Sequence, residues 1–145
     1  MKERRRARSV ALQVLYEVDC TTHPPGTVLT QRLAEAQLKP DAEAFARTLV
    51  SGVLKHRQEL DAAIRQHAPE WPIEQLAVVD RNVLRIAIYE FRIAEMTPTR
   101  VAINEAIELA KEYGSDSASR FVNGVLGAVA SRPDTPQSNS SSAGV

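Results

Sequence analysis

Four arginines crowd the first eight residues: Arg4, Arg5, Arg6 and Arg8. They run straight into an apolar pattern of helical spacing, so they fall in the first turns of a helix. That end of a helix is the positive pole of the peptide dipole, where an exposed cation costs about 0.3–1 kcal/mol. Lys2 and the chain amino group add to the repulsion. A local rule broken this heavily calls for compensation. An anion would supply it, and guanidinium forks suit phosphate in both geometry and charge. The alternative is a solvated basic start with no ligand, and charge alone favours phosphate.

Two aromatics could extend such a site. Tyr16 lies on the same first helix, and Phe121 follows Arg120 at the start of the last one. Either ring could stack on an unpaired base, although aromatics at helical spacing are usually core residues. Other chemistry is missing from the sequence. The glycines are scattered and form no phosphate-cradling loop. His23, His56 and His67 show neither i, i+4 pairing nor a cysteine partner, which argues against a metal site. Glu105 and Glu108 sit at i, i+3, where a solvated helical face explains them, with Glu108 pairing to Lys111. Asn104 and Asn123 fall inside apolar patterns, where a structural cross-link between helices is the better reading than a ligand contact.

The elements that would position these residues are helices, because no segment alternates with period two for long. A first helix runs from about Glu3 to Cys20, with Val10, Val14 and Val18 along one stripe. A second spans roughly Val28 to Lys39. Asp41 caps a third that carries Phe45, Leu49 and Val53, with Gly52 allowing close packing or a bend near His56 and Arg57. Leu60 and Ile64 continue the pattern to Ala68. Trp71-Pro72 separates two groups of helices, and Ile73 to Val79 is a short helix or turn. Asp80 caps a strongly apolar helix that includes Val83, Leu84, Ile86, Ala87, Ile88 and Phe91. Thr97 caps the next, with Pro98 at its first position, and Gly114 closes it in a left-handed conformation. The last helix spans about Ser117 to Ala130. The expected architecture is all-α, with about seven helices in two three-helix bundles packed into one domain. Residues 1–131 form that domain, and the serine-rich residues 132–145 form a disordered tail.

The chain has 145 residues and no net charge, but the charge is unevenly placed. Of the 18 basic and 18 acidic residues, residues 1–8 hold five and one, leaving 13 and 17 for the remainder. A basic end on a mildly acidic body points to two partner surfaces and excludes a uniformly basic nucleic-acid packager. Cys20 is the lone cysteine, so there is no internal disulfide and a reducing cytoplasmic setting fits. No apolar run approaches the ~18 residues of a membrane span, and the start lacks a signal-peptide pattern.

Several segments together resemble the NusB family of bacterial transcription antitermination factors. They are Arg4-Arg5-Arg6-Ala7-Arg8 with Leu15-Tyr16, then residues 80–90 (DRNVLRIAIYE), residues 101–111 (VAINEAIELAK) and, most telling, residues 120–126 (RFVNGVL). The resemblance implies two perpendicular three-helix bundles and no catalysis, cofactor or metal. It also implies pairing with the ribosomal protein NusE and joint binding of boxA, a single-stranded RNA element in nascent ribosomal RNA leaders. That pairing serves a termination-resistant RNA polymerase complex. By position, the RNA face would take in Arg4, Arg5, Arg6, Arg8, Tyr16, the loop with Asp116 and Ser117, Arg120 and Phe121. The NusE face would take in Glu74 and Asp80. Where relatives can carry Asp before the last helix this chain has Ser117, with Asp116 one residue earlier, and the serine-rich tail also departs from the family. Four or five phosphate contacts predict a log–log salt slope near −3, at about −0.7 per contact. Two other readings stand beside this one: the RNA-targeting module of a ribosomal RNA cytosine methyltransferase, and a homodimeric interaction module that hides its basic face.

Overall fold

Proline and apolar spacing set most of the element boundaries in a computed structural model of the protein, which describes residues 2–131. Helix α1 (Lys2–Cys20) buries Ala7, Val10, Ala11, Val14 and Leu15 along its inner stripe. α2 (Pro25–Ala36) and α3 (Pro40–Lys55) both begin at proline, where the missing N–H costs no helical hydrogen bond. α2 ends on Gln37, whose φ of 51° is left-handed and whose N–H closes on the Leu33 carbonyl.

His56 breaks the next stretch, so the pattern from Phe45 to Ile64 is carried by two helices, α3 and α4 (Arg57–His67). A single turn of 3-10 helix at Ile73–Gln75 leads into α5 (Val78–Ile88). There the backbone widens into a π turn at Tyr89–Ile93, closed by Ala94 N–H to the Tyr89 carbonyl at 2.8 Å. α6 (Thr99–Tyr113) and α7 (Ala118–Ser131) complete the described residues. Seven α-helices and no strand are present among them. None of the helices is long and apolar enough to cross a membrane.

α1 packs against α2 and α3, while α5 packs against α6 and α7. α1 also lies along α5, and α4 bridges to α5 and α7, so one apolar core runs through both groups. Val83, Leu84, Ile86, Ala87 and Ile88 of α5 are all buried at its centre.

The caps differ from the sequence reading. Asp41 and Asp80 lie inside the first turns of α3 and α5 rather than before them, and Lys39 and Ala77 occupy the cap positions. An acid in the first turn still complements the dipole. Pro98 occupies the cap position of α6 with no side-chain cap bond, and the Thr97 hydroxyl instead donates to buried Glu90 at 2.7 Å. Asn104 and Asn123 are exposed and cross-link nothing; the buried amide is Asn82, which donates to Asp19 and to the Val78 carbonyl. The tail expected beyond residue 131 lies outside the described residues.

Two glycines are required for close approach. Gly52 lets the Tyr89 ring lie directly on the α3 backbone, where a Cβ would overlap it. Gly114 has φ −97°, ψ −176°, which is extended and not left-handed. A Cβ there would stand 2.6 Å from Ala118 Cβ and 2.8 Å from the Ala110 carbonyl oxygen. Gly114→Ala is therefore expected to cost about 1–2 kcal/mol by overpacking, read as a lowered thermal midpoint with the helical spectrum retained.

Candidate nucleic-acid interface

A helix turns about 100° per residue, so consecutive arginines cannot share one face. α1 divides its four among three neighbours. Arg5 faces α6, giving Glu105 a two-pronged ion pair at 3.0 and 2.9 Å. Arg6 faces the end of α2, bonding the Ala36 carbonyl at 2.6 Å and Glu3 at 2.8 Å. Arg4 and Arg8, one turn apart, both lie over the Phe45 ring of α3, with Cζ 4.2 and 5.1 Å from its centroid.

Arg8 is the correction to the expected open cluster. Its side chain is 4% exposed and is clamped by Glu90, itself 1% exposed, through bonds of 2.9 and 2.8 Å. Much of the compensation for the misplaced cations therefore comes from the chain's own carboxylates: Glu3, Glu90 and Glu105. Arg4 keeps an ion-pair-free guanidinium among the described residues and is exposed, as are Arg5 and Arg6.

Glu105 was the hidden partner. It is buried, against the expectation of a solvated face. Its place on the α6 stripe with Ala102, Ala106 and Leu109 was the available signal.

The Arg5–Glu105 pair recurs further along as Gln13 Nε2 donating to Tyr113 Oη at 3.2 Å. Both contacts advance equally along each helix, so α1 and α6 run side by side in the same direction. Tyr16 sits about 16 Å beyond Arg5 on the same face of α1. Tyr16 is 45% exposed. With Leu12, Gln13, Arg32, Val79 and Tyr113 it lines an open groove of about 290 Å³. Arg32 crosses from α2 to bond Gln13 at 2.9 Å and Glu17 at 3.1 Å. Sequence reasoning missed both Arg32 and Tyr113. The position of Tyr113 just before the Gly114 loop was a signal, whereas Arg32 offered none.

Tyr113 leads directly into the loop. Ser115, Asp116 and Ser117 are exposed there, and the Ser117 carbonyl accepts the Phe121 N–H at 3.2 Å as α7 begins. Arg120 is exposed, and Phe121 is half-buried against the core. The groove is therefore lined at one edge by Tyr113, which leads into the loop named from sequence, while Arg4 and Arg6 turn away from it toward α3 and α2.

Glu74 and Asp80 do not share one environment. Glu74 is exposed on the 3-10 turn, whose carbonyls accept from Arg81 Nη1 at 3.2 Å (Ile73) and 3.4 Å (Glu74). Asp80 is half-buried and turned toward Gly114, with its Oδ1 buried and unpartnered. Burial pushes its carboxyl above the ordinary value.

Other acids shift the opposite way. The Arg5 hydrogen bonds hold Glu105 below the ordinary value against the effect of burial, with the charges of Arg5 and Arg8 adding. For Asp19, burial is the largest influence and acts upward. Bonds from Arg81 and Asn82, with the charges of Arg81 and Arg85, still leave it lowered. Groups held low in the folded state stabilise above the unfolded value and lose that contribution as pH falls through the folded one. Stability should thus fall as pH drops below the ordinary glutamate value of 4.5, partly opposed by relief at Asp80. Thermal midpoints between pH 7 and 3 will read this, and Glu105→Gln should show the smaller acid-induced drop.

Among the described residues no group of three or more His, Cys, Asp or Glu side chains is placed to hold a metal. The arrangement offers cations and an open ring on one helix, a polar loop after α6 and, on a separate turn, the exposed acid Glu74.

Comparison with known proteins gives the family. The NusB family model matches residues 5–131. The chain is 53% identical over 131 residues to the transcription antitermination protein NusB of Roseiflexus castenholzii, covering 89% of this chain and 92% of that one. It is 50% identical over 132 residues to the Chloroflexus aggregans protein of the same name, covering 90% and 88%. Among solved structures it resembles T. maritima NusB with TM-score 0.83 and 32% identity, covering 92% and 94%. It also resembles a chain from a crystal structure of the antitermination factors NusB and NusE in complex with double-stranded RNA. The TM-score there is 0.81 and the identity 32%, covering 89% and 96%.

Proposed function

The chain belongs to the NusB family, and from that premise we propose that its groove and its acidic turn are the two contact surfaces of a transcription antitermination factor. The protein is an RNA-binding regulator and not an enzyme. It acts with NusE on RNA and within an RNA polymerase complex that resists termination. Residues 1–131 are the working domain, and the cytoplasm is its setting.

The observation that carries the site is the α1–α6 groove, with its open Tyr16 ring and the exposed Arg5 further along the same face of α1. Arg4, Arg5, Arg6 and Arg120 contact phosphates, while Tyr16 stacks on a base. Asp116 and Ser117 offer hydrogen bonds to base edges from the loop, and Phe121 braces the start of α7 beneath them. Arg8 fixes α1 from below rather than touching RNA. Glu74 faces NusE from the 3-10 turn, whereas Asp80, turned toward Gly114, supports the loop from behind. An exposed ring beside cations suits unpaired bases, so boxA-type RNA is read here as a single strand. The near-complete overlap with the curated antitermination proteins favours this reading over a methyltransferase module.

The test is binding of labelled boxA RNA against a scrambled RNA and against the boxA duplex, each with and without NusE. The expected result is preference for single-stranded boxA, sharpened by NusE. Four phosphate contacts should give a log–log salt slope near −3, at about −0.7 each. Equal affinity for all three RNAs in the presence of NusE would overturn specific single-strand recognition.

A further inference from the structure

We propose that Trp71 is the apolar anchor by which this chain grips a basic protein surface, and that the partner is NusE. The inference rests on the NusE reading above and adds a residue to it. Trp71 is the chain's single tryptophan, and it stands 54% exposed, more open than Tyr16 at 45% or Met96 at 36%. A tryptophan left this open keeps about half of its surface in water, and tryptophan is prominent among residues that dominate binding energy at protein interfaces.

Its support is rigid. Pro69 and Pro72 bracket it, and its N–H closes a turn on the Ala68 carbonyl at 3.2 Å. Within the next five residues, Ile73 and Leu76 are buried. Arg81 ties the same turn to α5 through the Ile73 and Glu74 carbonyls. A backbone turn already held in place adds little ordering cost when the ring is covered, which favours tight binding.

Charge selects the occupant. Glu70 and Glu74 flank Trp71 and are exposed. They would repel RNA phosphates, so base stacking at this ring is disfavoured. A second copy meeting the same patch about a two-fold axis would bring these acids against each other. A cationic protein surface with an apolar pocket satisfies both the ring and the acids.

Trp71 also reports on itself, since its emission is the only tryptophan signal. Titrating NusE into the full chain should shift that emission to the blue as the ring leaves water. By calorimetry, Trp71→Ala should weaken NusE affinity roughly 30-fold, and Trp71→Phe by less. Melting of both variants checks that any loss of affinity is not a loss of fold, and Trp71→Phe, which keeps a ring on the turn, should melt within a few degrees of wild type. If NusE binds with full affinity while the emission stays unmoved, the anchor is overturned and the NusE reading survives. Failure of NusE to bind at all overturns both. A blue shift with RNA alone, or with rising protein concentration alone, reassigns the ring and overturns the proposal.

Discussion

Arg8→Ala should destabilise the fold by about 3–5 kcal/mol, the range for removing one partner of a buried ion pair. The lost guanidinium leaves Glu90 with one surviving donor, the Thr97 hydroxyl at 2.7 Å. A carboxylate only 1% exposed has no water to replace the other two bonds. Its backbone sits in the π turn between α5 and α6, so the damage falls where the two helix groups meet. Chemical denaturation should show the loss as a lower midpoint with an unchanged slope. The paired replacement Arg8→Met with Glu90→Leu removes both charges and should recover most of the stability. That double variant also separates structure from recognition. RNA affinity restored along with stability marks Arg8 as a positioning residue. Affinity still lost in a stable protein would place its guanidinium on RNA.

A second network works in the same way at the other end of α1. Arg85 bonds Asp61 at 2.7 and 3.1 Å and reaches Asp19 at 3.2 Å. Arg81 holds the same Asp19 at 2.8 Å. α1 is thus pinned to the C-terminal half at both ends by arginine–carboxylate clusters, with the apolar stripe between them. The groove proposed for RNA lies along this doubly fastened helix, which holds Arg5 and Tyr16 in register without help from a ligand. The specificity of such networks, more than their net stability, is what buried ion pairs can contribute.

The apolar architecture was legible because its signal is local. Val10 and Val14, or Val122, Val125, Leu126 and Val129, repeat at the helical period within one segment, and each helix they mark is present. The arginine site was half legible. Counting charges finds Arg4, Arg5, Arg6 and Arg8, but a count has no direction. Helical rotation sends Arg8 inward, and its partner Glu90 lies 82 residues away in the chain. Glu105 is 100 residues from Arg5. No local pattern reports a pairing of that range. The caps failed for a related reason: Thr97 reads as a cap in isolation, yet a buried carboxylate competes for its hydroxyl and wins.

Replacing Tyr16 and Arg120 together by alanine should cut RNA affinity by about 3 kcal/mol, roughly 150-fold, with the fold intact. Stacking on one ring contributes about 1–3 kcal/mol, and a hydrogen bond from a charged group about 1.5–3 kcal/mol, so the lower halves of both ranges already reach that sum. Both residues are exposed and neither has a hydrogen-bond or ion-pair partner among the described residues, so the fold should survive, as an unchanged helical spectrum and melt will check. The two halves of the effect leave different marks. Loss of Arg120 flattens the salt slope by about 0.7, whereas loss of Tyr16 leaves the slope alone and lowers affinity at every salt concentration. Tyr16→Phe should bind nearly as well as wild type, because the ring face and not the hydroxyl is the platform. Fluorescence anisotropy with boxA RNA across a salt series resolves all three outcomes. A Tyr16→Ala variant that binds like wild type would move recognition out of the α1–α6 groove and leave the loop and α7 as its only seat.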